Sequence, residues 1–467
     1  MSGLTNKYFP RRTVLLTLTE ALLVAACFFL AVLLSSGSAA EAQAYLWYDG
    51  GAGRIGLVVL IFLVLMFYFD LYHYPVLTNR REVVTRLVGV LGMTFLTLAV
   101  VYYSFPDASL GGYVLWIGIL AASVAVPVWR LLFFAVNSSA SFAERALIYG
   151  DGPLAAQMID AIIRRAELGV RVTGFVGSQP VLPGIPIVAV NDVASFVQRE
   201  GVRRIIVTMG DRRGKLDVGQ LLQLKARGVQ IQDGPEYFET VTGKIPIDSL
   251  RLRWLLFSRG FHVRPALHAY KRIFSLLFGT VAAVFSSPLM LCVAVAVRLN
   301  SEGPILDRQK CVGEFGAPFT AYKFRTKFRL GTLTNDSIKN ENPAAAGTTS
   351  QSDLTSVGRW LRKTRLDELP RLLNIIKGDL SFVGPQPVPL SDEEHWERAI
   401  PYYKERWLIK PGITGWAQIN RKKASTIEDQ KDVLAYDLFY IKNVSIGLDL
   451  YILISTLKIL MIGRTRR

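Results

Sequence analysis

Two adjacent carboxylates, Asp367 and Glu368, stand in the run Arg359-Trp-Leu-Arg-Lys-Thr-Arg-Leu-Asp-Glu-Leu-Pro-Arg-Leu-Leu-Asn-Ile-Ile-Lys-Gly-Asp379. Arg359, Arg362, Lys363 and Arg365 precede them, and an apolar run from Leu372 to Ile376 follows. Nearby positive charge favours the ionised carboxylate, so the sequence predicts an acid pair held charged. Such a pair can attack phosphorus or hold a divalent metal. A reading without chemistry is also available. Asp367 can serve as a helix N-cap, with Glu368 and Pro370 in the first turn, where a missing N–H costs nothing. On this stretch alone capping is the simpler explanation; the rest of the chain reverses that order.

Spaced cations and glycine turns flank the acid pair on both sides. Upstream are Gly303-Pro304, Asp307-Arg308-Gln309-Lys310, Val312-Gly313 and Lys323-Phe324-Arg325-Thr326. Downstream are Gly384-Pro385-Gln386-Pro387, Arg406 and Lys410-Pro-Gly412-Ile-Thr414-Gly415-Trp416-Ala-Gln418. Charge and exposed backbone amides together suit diphosphate groups, which makes Lys323, Arg325, Arg362, Gly384, Pro385 and Arg406 candidate anion-binding positions. Taken alone, Gly384-Pro385 reads as an ordinary turn. A loop rich in Asn, Ser, Thr and Gly, from Gly331 to Ser352, separates the upstream signals from the acid pair.

The composition says where such chemistry would take place. The chain has 467 residues, 51% of them hydrophobic, with a formal charge of +17. Mean hydropathy is +0.30 and the pI about 9.8, so the chain is too long for one domain and too apolar for an ordinary soluble one. The cations flank apolar segments and no aromatic-interleaved basic run occurs, which favours membrane lipid and phosphate over nucleic acid as partners. Cys27, Cys292 and Cys311 are far apart and form neither a disulfide framework nor a zinc pattern. With four histidines, a histidine metal site is not expected either.

Residues 1–137 read as a four-span membrane domain. The apolar segments run about Val14–Leu34, Ile55–Leu71, Val83–Phe105 and Tyr113–Val136, each near the ~20 residues that a spanning helix needs. Glu20, Arg86 and Arg130 interrupt them and are expected near helix ends or against neighbouring helices. The first segment has no convincing cleavage site and is followed by further spans, so it is not read as a cleaved signal. Lys7, Arg11 and Arg12 precede the first span, and Arg80 and Arg81 lie between the second and third. By the positive-inside rule the N-terminus and everything after Val136 face the cytoplasm.

Residues 143–262 change to the rhythm of an α/β domain. Ala146–Tyr149, Val170–Val176, Ile185–Val190, Arg204–Met209 and Val229–Gln232 read as strands, with helical stretches to about Leu168, at Val193–Arg199 and at Gly219–Ala226. That alternation predicts a parallel, Rossmann-like sheet. Gly150-x-Gly152-x-x-Ala155 is a loose dinucleotide fingerprint, but the acidic residue expected after the second strand is missing. Packing or regulation is therefore the favoured role of this domain.

A second apolar stretch, Ile273 to Val297, opens the part assigned to residues 268–467. Pro288 at its middle removes one helical hydrogen bond and predicts a break or kink beside Ser287. Lys271-Arg272 and Arg298 make both ends basic, which disfavours crossing. A re-entrant hairpin over residues 271–299 meets both constraints; the competing reading is a fifth, kinked span. A last apolar run, Ile446 to Ile462, contains Asp449 and Lys458 and reads as an amphipathic helix at the membrane surface or on the catalytic domain.

From about Lys271 onward the chain resembles the bacterial polyprenyl-phosphate sugar-1-phosphate transferases. The residues that carry the resemblance are Gly303-Pro304, Arg308-Gln309, Lys323-Phe-Arg-Thr326, Leu366-Asp-Glu-Leu-Pro370, Gly378-Asp379, Gly384-Pro385 and Pro411-Gly-Ile-Thr-Gly-Trp416. With the spans and the Rossmann-like domain ahead of it, the whole resembles the large members of that family. The resemblance implies an inner-membrane protein built of a helical bundle, a cytoplasmic α/β domain and a mainly α monotopic catalytic domain with a re-entrant helix. It implies Asp367 as nucleophile and Glu368, with Asp367, at Mg²⁺ (or Mn²⁺). It also maps the family's Ser-Pro helix break onto Ser287-Pro288, and implies a UDP-sugar donor and a polyprenyl phosphate acceptor. A homodimer is compatible with it, although no residue specifies one.

Several positions depart from the family pattern. Gln386 stands for the arginine of Gly-Pro-Arg-Pro, Cys311-Val312-Gly313 for Arg-Val-Gly, and Thr355-Ser356-Val357-Gly358 for Thr-Arg-x-Gly. The Asp-Ala-Glu that follows Lys-Phe-Arg has no counterpart in Lys327 to Asn335, and Arg421-Lys422 replaces Gly-Arg, so that Lys422 restores charge. The implied reaction transfers sugar-1-phosphate to the lipid through Asp367 and releases UMP. Two rivals stand beside it: a catalytically weakened scaffold of polysaccharide assembly, motivated by the lost arginines, and an NAD-dependent nucleotide-sugar enzyme centred on Gly150–Ala155.

Overall fold

A computed structural model describes residues 11–69, 71–72, 80–137, 143–165, 169–177, 184–209, 216–249, 261, 265–327, 354–421 and 426–462. The chain divides into two compact units, Met1–Gly243 and Lys244–Arg467.

The first unit opens with long apolar helices: α1 (Arg11–Ser35), the short α2 (Ala39–Trp47), α3 (Gly51–Tyr68), α4 (Arg80–Ser104) and α5 (Gly112–Asn137). All but α2 are long and apolar enough to cross a membrane. The third and fourth spans were located by hydropathy to within three residues. The second begins at Gly51 rather than Ile55 and ends before Leu71. Helix α2 was not anticipated, although Ser38 caps it by accepting from the Glu41 N–H. The buried charges are paired as their cost requires. Arg130 Nη2 donates to Glu20 Oε2 at 3.1 Å and Nη1 to the Leu71 carbonyl at 2.9 Å. Both side chains are almost wholly buried. Arg86 donates to the Phe69 carbonyl.

The sheet of this unit has the order β2-β1-β3-β4, all parallel, from β1 (Glu144–Tyr149), β2 (Val170–Val176), β3 (Arg204–Val207) and β4 (Gln230–Asp233). Strand alternation sorts its side chains onto two faces. Leu147 and Tyr149 pack with Val193, Phe196, Val197, Leu221 and Leu224 of α7 (Val193–Glu200) and α8 (Val218–Ala226). Ala146 and Ile148 pack with α6 (Pro153–Arg164) and α9 (Gly234–Thr242). The result is a three-layer α/β sandwich. The strand expected over Ile185–Val190 is not one. Ile187 makes a single bridge to Phe175, and Val190 enters a 3₁₀ turn. Pro186 interrupts that segment and Gly184 has φ +91°, which suits a turn rather than a ladder.

The second unit opens with α10 (Pro265–Asn300), one unbroken helix with Pro288 inside it. The hairpin break expected at Ser287-Pro288 is therefore absent. The missing proline N–H would have bonded the Val284 carbonyl; the Ser287 hydroxyl donates to that same carbonyl at 2.7 Å. Both ends of α10 are tied to the same unit. Arg272 donates to the Ile375 and Ile376 carbonyls, Lys271 to that of Val383, and Asn300 to the Ser356 hydroxyl. Then come the antiparallel pair β5 (Leu306–Val312) and β6 (Pro318–Phe324), α11 (Ser356–Thr364), a 3₁₀ turn at Leu366–Glu368, and α12 (Arg371–Lys377). The parallel pair β7 (Ser381–Val383) and β8 (Gly412–Thr414) is split by α13 (Leu390–Ala399). The unit closes with α14 (Trp416–Asn420), α15 (Ile427–Lys442) and α16 (Ile446–Ile462). Helix α16 has the bounds read from the sequence. It buries Asp449 against the Tyr440 hydroxyl and turns Ile446, Leu450, Ile454 and Leu457 outward.

Candidate active site

The acid pair lies in a tight turn between two helices. Helix α11 starts at Thr355, whose hydroxyl accepts from the Gly358 N–H. Gly358 lies so close to the Thr326 backbone that any Cβ would collide with it. Arg365 ends α11 in the left-handed region at φ +58°, a conformation costly for a residue other than glycine. Asp367 and Glu368 follow at once in the 3₁₀ turn, and Pro370 precedes α12 with no side-chain cap. Asp367 is thus not an N-cap, and the capping reading falls.

Asn374 holds α12 to the strand that carries Lys323. It is fully buried, accepts from the Tyr322 N–H at 3.1 Å and donates to the Thr320 carbonyl at 2.7 Å. Its Nδ2 also donates to Asp379. Lys323 is thereby set beside the pair, with its Nζ on Gln309 Oε1 at 3.0 Å. Arg362 reaches back from α11 to donate to the Thr326 hydroxyl at 3.1 Å. Arg371, buried to 3% exposure, donates from Nη1 to Glu368 Oε2 at 3.0 Å.

The electrostatics correct one expectation. Burial, with the Glu368 carboxylate beside it, pushes the Asp367 carboxyl above its ordinary value, against the pull of Lys323 and Arg362. Desolvation therefore outweighs the surrounding cations. Burial and the neighbouring Arg371 lower the Lys323 ammonium from its usual range.

Other candidates are employed within the fold. Arg406 is 1% exposed, donates to Asp437 Oδ2 at 2.7 Å and to the Tyr403 hydroxyl, and lies over the Trp407 ring. Its charge is balanced by Asp437 inside the core, and burial in turn pushes Asp437 up to about 6. Gly384 and Pro385 do not present free amides. The Gly384 N–H bonds the Thr414 carbonyl, and the Pro385 carbonyl accepts from Gly412. Arg325 donates to Ser301, pinning the loop after α10. Ser287 and Pro288 sit in α10, and Lys422 lies outside the described residues, as do residues 328–335. Asn374 and Arg371 escaped the sequence reading. The available signal was a lone amide inside the apolar run Leu372–Ile376, and a cation three residues after Glu368.

The donor set bears on a divalent metal. Among the described residues no group of three or more His, Cys, Asp and Glu side chains forms a cage. Two adjacent carboxylates, one with an oxygen already held by Arg371, fit an ion of the Mg²⁺ kind that completes its shell with water and substrate phosphate.

Comparison with known proteins places this region in a family. Residues 266–463 match the bacterial sugar transferase family, and residues 67–224 match a CoA-binding domain family. The chain is 35% identical over 228 residues to the UDP-N-acetylgalactosamine-undecaprenyl-phosphate N-acetylgalactosaminephosphotransferase of Aeromonas hydrophila, covering 48% of this chain and 51% of that protein. It is 36% identical over 188 residues to the UDP-glucose:undecaprenyl-phosphate glucose-1-phosphate transferase of Escherichia coli (strain K12), covering 40% and 39%. These matches thus span about half or less of the relatives' own length. An uncharacterized sugar transferase of Bacillus subtilis (strain 168) is 39% identical over 195 residues, 40% of this chain and 87% of that protein. With a relative matched along most of its length, and with the acid pair and its cations inside the matched region, the chain belongs to the bacterial sugar transferase family.

Proposed function

We propose that this protein is a polyprenyl-phosphate glycosyl-1-phosphate transferase, moving a sugar-1-phosphate from a UDP-sugar to undecaprenyl phosphate as the first membrane step of a bacterial polysaccharide. The observation that carries the reading is the acid pair Asp367–Glu368, half-buried between Lys323, Arg362 and Arg371. It pairs a carboxylate nucleophile with cations matched to a diphosphate. The printed activities of the Aeromonas and E. coli relatives support the same reaction class.

In the first step an Asp367 carboxylate oxygen attacks the β-phosphorus of the donor. The bond from that phosphorus to the bridging oxygen breaks, and UMP leaves with the electron pair. Lys323 and Arg362 neutralise the oxygens on which charge gathers. In the second step a phosphate oxygen of the lipid attacks the same phosphorus. The aspartyl bond breaks, Asp367 is regenerated, and the sugar is left on a lipid diphosphate. Glu368 and Asp367 would hold Mg²⁺, which when bound supplies charge neutralisation to the donor phosphates.

Helix α10 is the element that would meet the lipid. Residues on both sides of Pro288 pack on one unit: Ala282 and Ala283 with Leu372 and Ile375, Val293 and Val297 with Phe324 and Leu361. Between them Val284, Phe285, Leu289 and Leu291 are exposed. Packing of both halves of α10, and tethering of both its ends, on the same polar unit supports a helix that lies along one leaflet without crossing, with the catalytic unit on the cytoplasmic face of the inner membrane.

The test is UMP release from UDP-sugars by the purified full-length protein, with and without undecaprenyl phosphate. Lipid-dependent release coupled to sugar transfer is the expected result. Absence of release across the common UDP-hexoses and N-acetylhexosamines would overturn the reading.

A further inference from the structure

Arg371 is a buried guanidinium with only part of its donor capacity used. Its Nη1 holds Glu368 at 3.0 Å, while its Nε–H is buried with no hydrogen-bond partner among the described residues. An unmet charged donor in the interior is costly, so it calls for an explanation. Nε lies on the side-on edge of the guanidinium, the fork that takes two oxygens of a phosphate. Arg371 also stands near Lys323, close enough to depress the proton affinity of that ammonium, and both lie beside the buried Cys311. Two neighbouring cations, of which Arg371 alone bonds a carboxylate, leave positive charge for a further anion.

We propose that Arg371 is a direct ligand of the donor diphosphate, its Nε edge taking phosphate oxygens while Nη1 holds Glu368 beside them. The identity of the anion rests on the transferase reading given above; the existence of an anion site at Arg371 does not. Arg371 would then couple donor binding to the orientation of the second carboxylate, because one planar group contacts both.

The experiment measures UDP binding to the full-length protein in detergent micelles by titration calorimetry, with Mg²⁺ present. Arg371→Gln should weaken UDP about tenfold or more, the scale of one lost charge-assisted hydrogen bond. It should leave the weak binding of uridine unchanged. The same loss should appear in a Glu368→Gln background. An arginine that acted only by holding Glu368 would show no further loss there, and that result would overturn the proposal. UDP affinity unchanged by Arg371→Gln, or no UDP binding by the parent protein, would overturn it as well. If Arg371→Gln does not fold, Arg371→Lys keeps the charge and loses the planar fork; an affinity at least about fivefold weaker is then expected, and an unchanged one refutes the proposal. Arg371-dependent UDP binding without UMP release would sink the transferase reading and leave the anion site standing. UMP release indifferent to Arg371 would do the reverse.

Discussion

Asn374 stands in for a neighbouring strand at Tyr322: its side-chain amide accepts the Tyr322 N–H at 3.1 Å and donates to the Thr320 carbonyl at 2.7 Å, as a paired backbone would. One fully buried side chain thus fixes the distance between the turn of Asp367 and the strand of Lys323. Asn374→Ala should leave a donor and an acceptor unmet and cost about 2–4 kcal/mol. Asn374→Ala should also lower turnover by separating the two halves of the site. Thermal unfolding in micelles, read beside UMP release, checks both effects; an unchanged melting temperature would show that the Asn374 bonds to Tyr322 and Thr320 are not needed.

The two carboxylates should fail differently. Asp367→Asn removes the proposed nucleophile and should reduce transfer on the order of 10⁴-fold or more, whatever the Mg²⁺ concentration. Glu368→Gln should cost on the order of 10²-fold, with part of the loss recovered by excess Mg²⁺, because an amide is the poorer ligand. Both variants should fold, since no helix cap depends on Asp367 and in Glu368→Gln the amide oxygen still accepts from Arg371. Near-normal activity of Asp367→Asn would remove the covalent mechanism.

The pH profile follows from the two shifted groups. Asp367 is raised from 3.8 by burial and by Glu368, so its nucleophilic form is lost at a higher pH than that of an ordinary aspartate. The acid limb of kcat/KM should lie above 3.8 and move down in Glu368→Gln, where the like charge is gone. Lys323 is lowered from 10.5 by burial and Arg371, so the alkaline limb should fall below 10.5 as the ammonium deprotonates. An acid limb that stays in place in Glu368→Gln would show that the pair is not electrostatically coupled.

Arg406 should behave as a core residue. Arg406→Ala strands the buried Asp437 carboxyl and should cost about 3–5 kcal/mol of stability, with the donor KM of the folded fraction unchanged. A raised KM at constant melting temperature would return Arg406 to the anion site.

Topology is open to direct labelling. In a background without Cys27, Cys292 and Cys311, Glu302→Cys and Arg145→Cys should both react with impermeant maleimide only after the cytoplasmic face is exposed. Reaction of the Glu302→Cys probe in intact cells would mean that α10 crosses.

What was legible in the sequence follows from the range of the interactions involved. Hydropathy placed α1, α4, α5 and α16 closely, because burial in an apolar medium is written residue by residue. The parallel sheet was legible from strand–helix alternation. Pro288 does not end α10, and the Ser287 hydroxyl one residue away bonds the carbonyl that the proline leaves without its N–H partner. Arg406 and Gly384 misled because charge and flexibility look alike in a site and in a core; only Asp437 and Thr414, distant in the chain, reveal their employment. Asp367 was given the wrong electrostatic sign, since burial depth is a tertiary quantity.

The ion pair of Glu20 and Arg130 carries a consequence for biogenesis. The partners are separated by 110 residues, and Glu20 emerges first. At ribosomal rates of roughly 5–20 residues per second, Glu20 spends roughly 5–20 s without its counter-ion. During that interval α1 has no low-energy resting place among lipids alone. Assembly of the four helices is therefore a closing ring rather than a queue: the arrival of α5 completes the seat of α1, and the order of synthesis becomes an order of assembly.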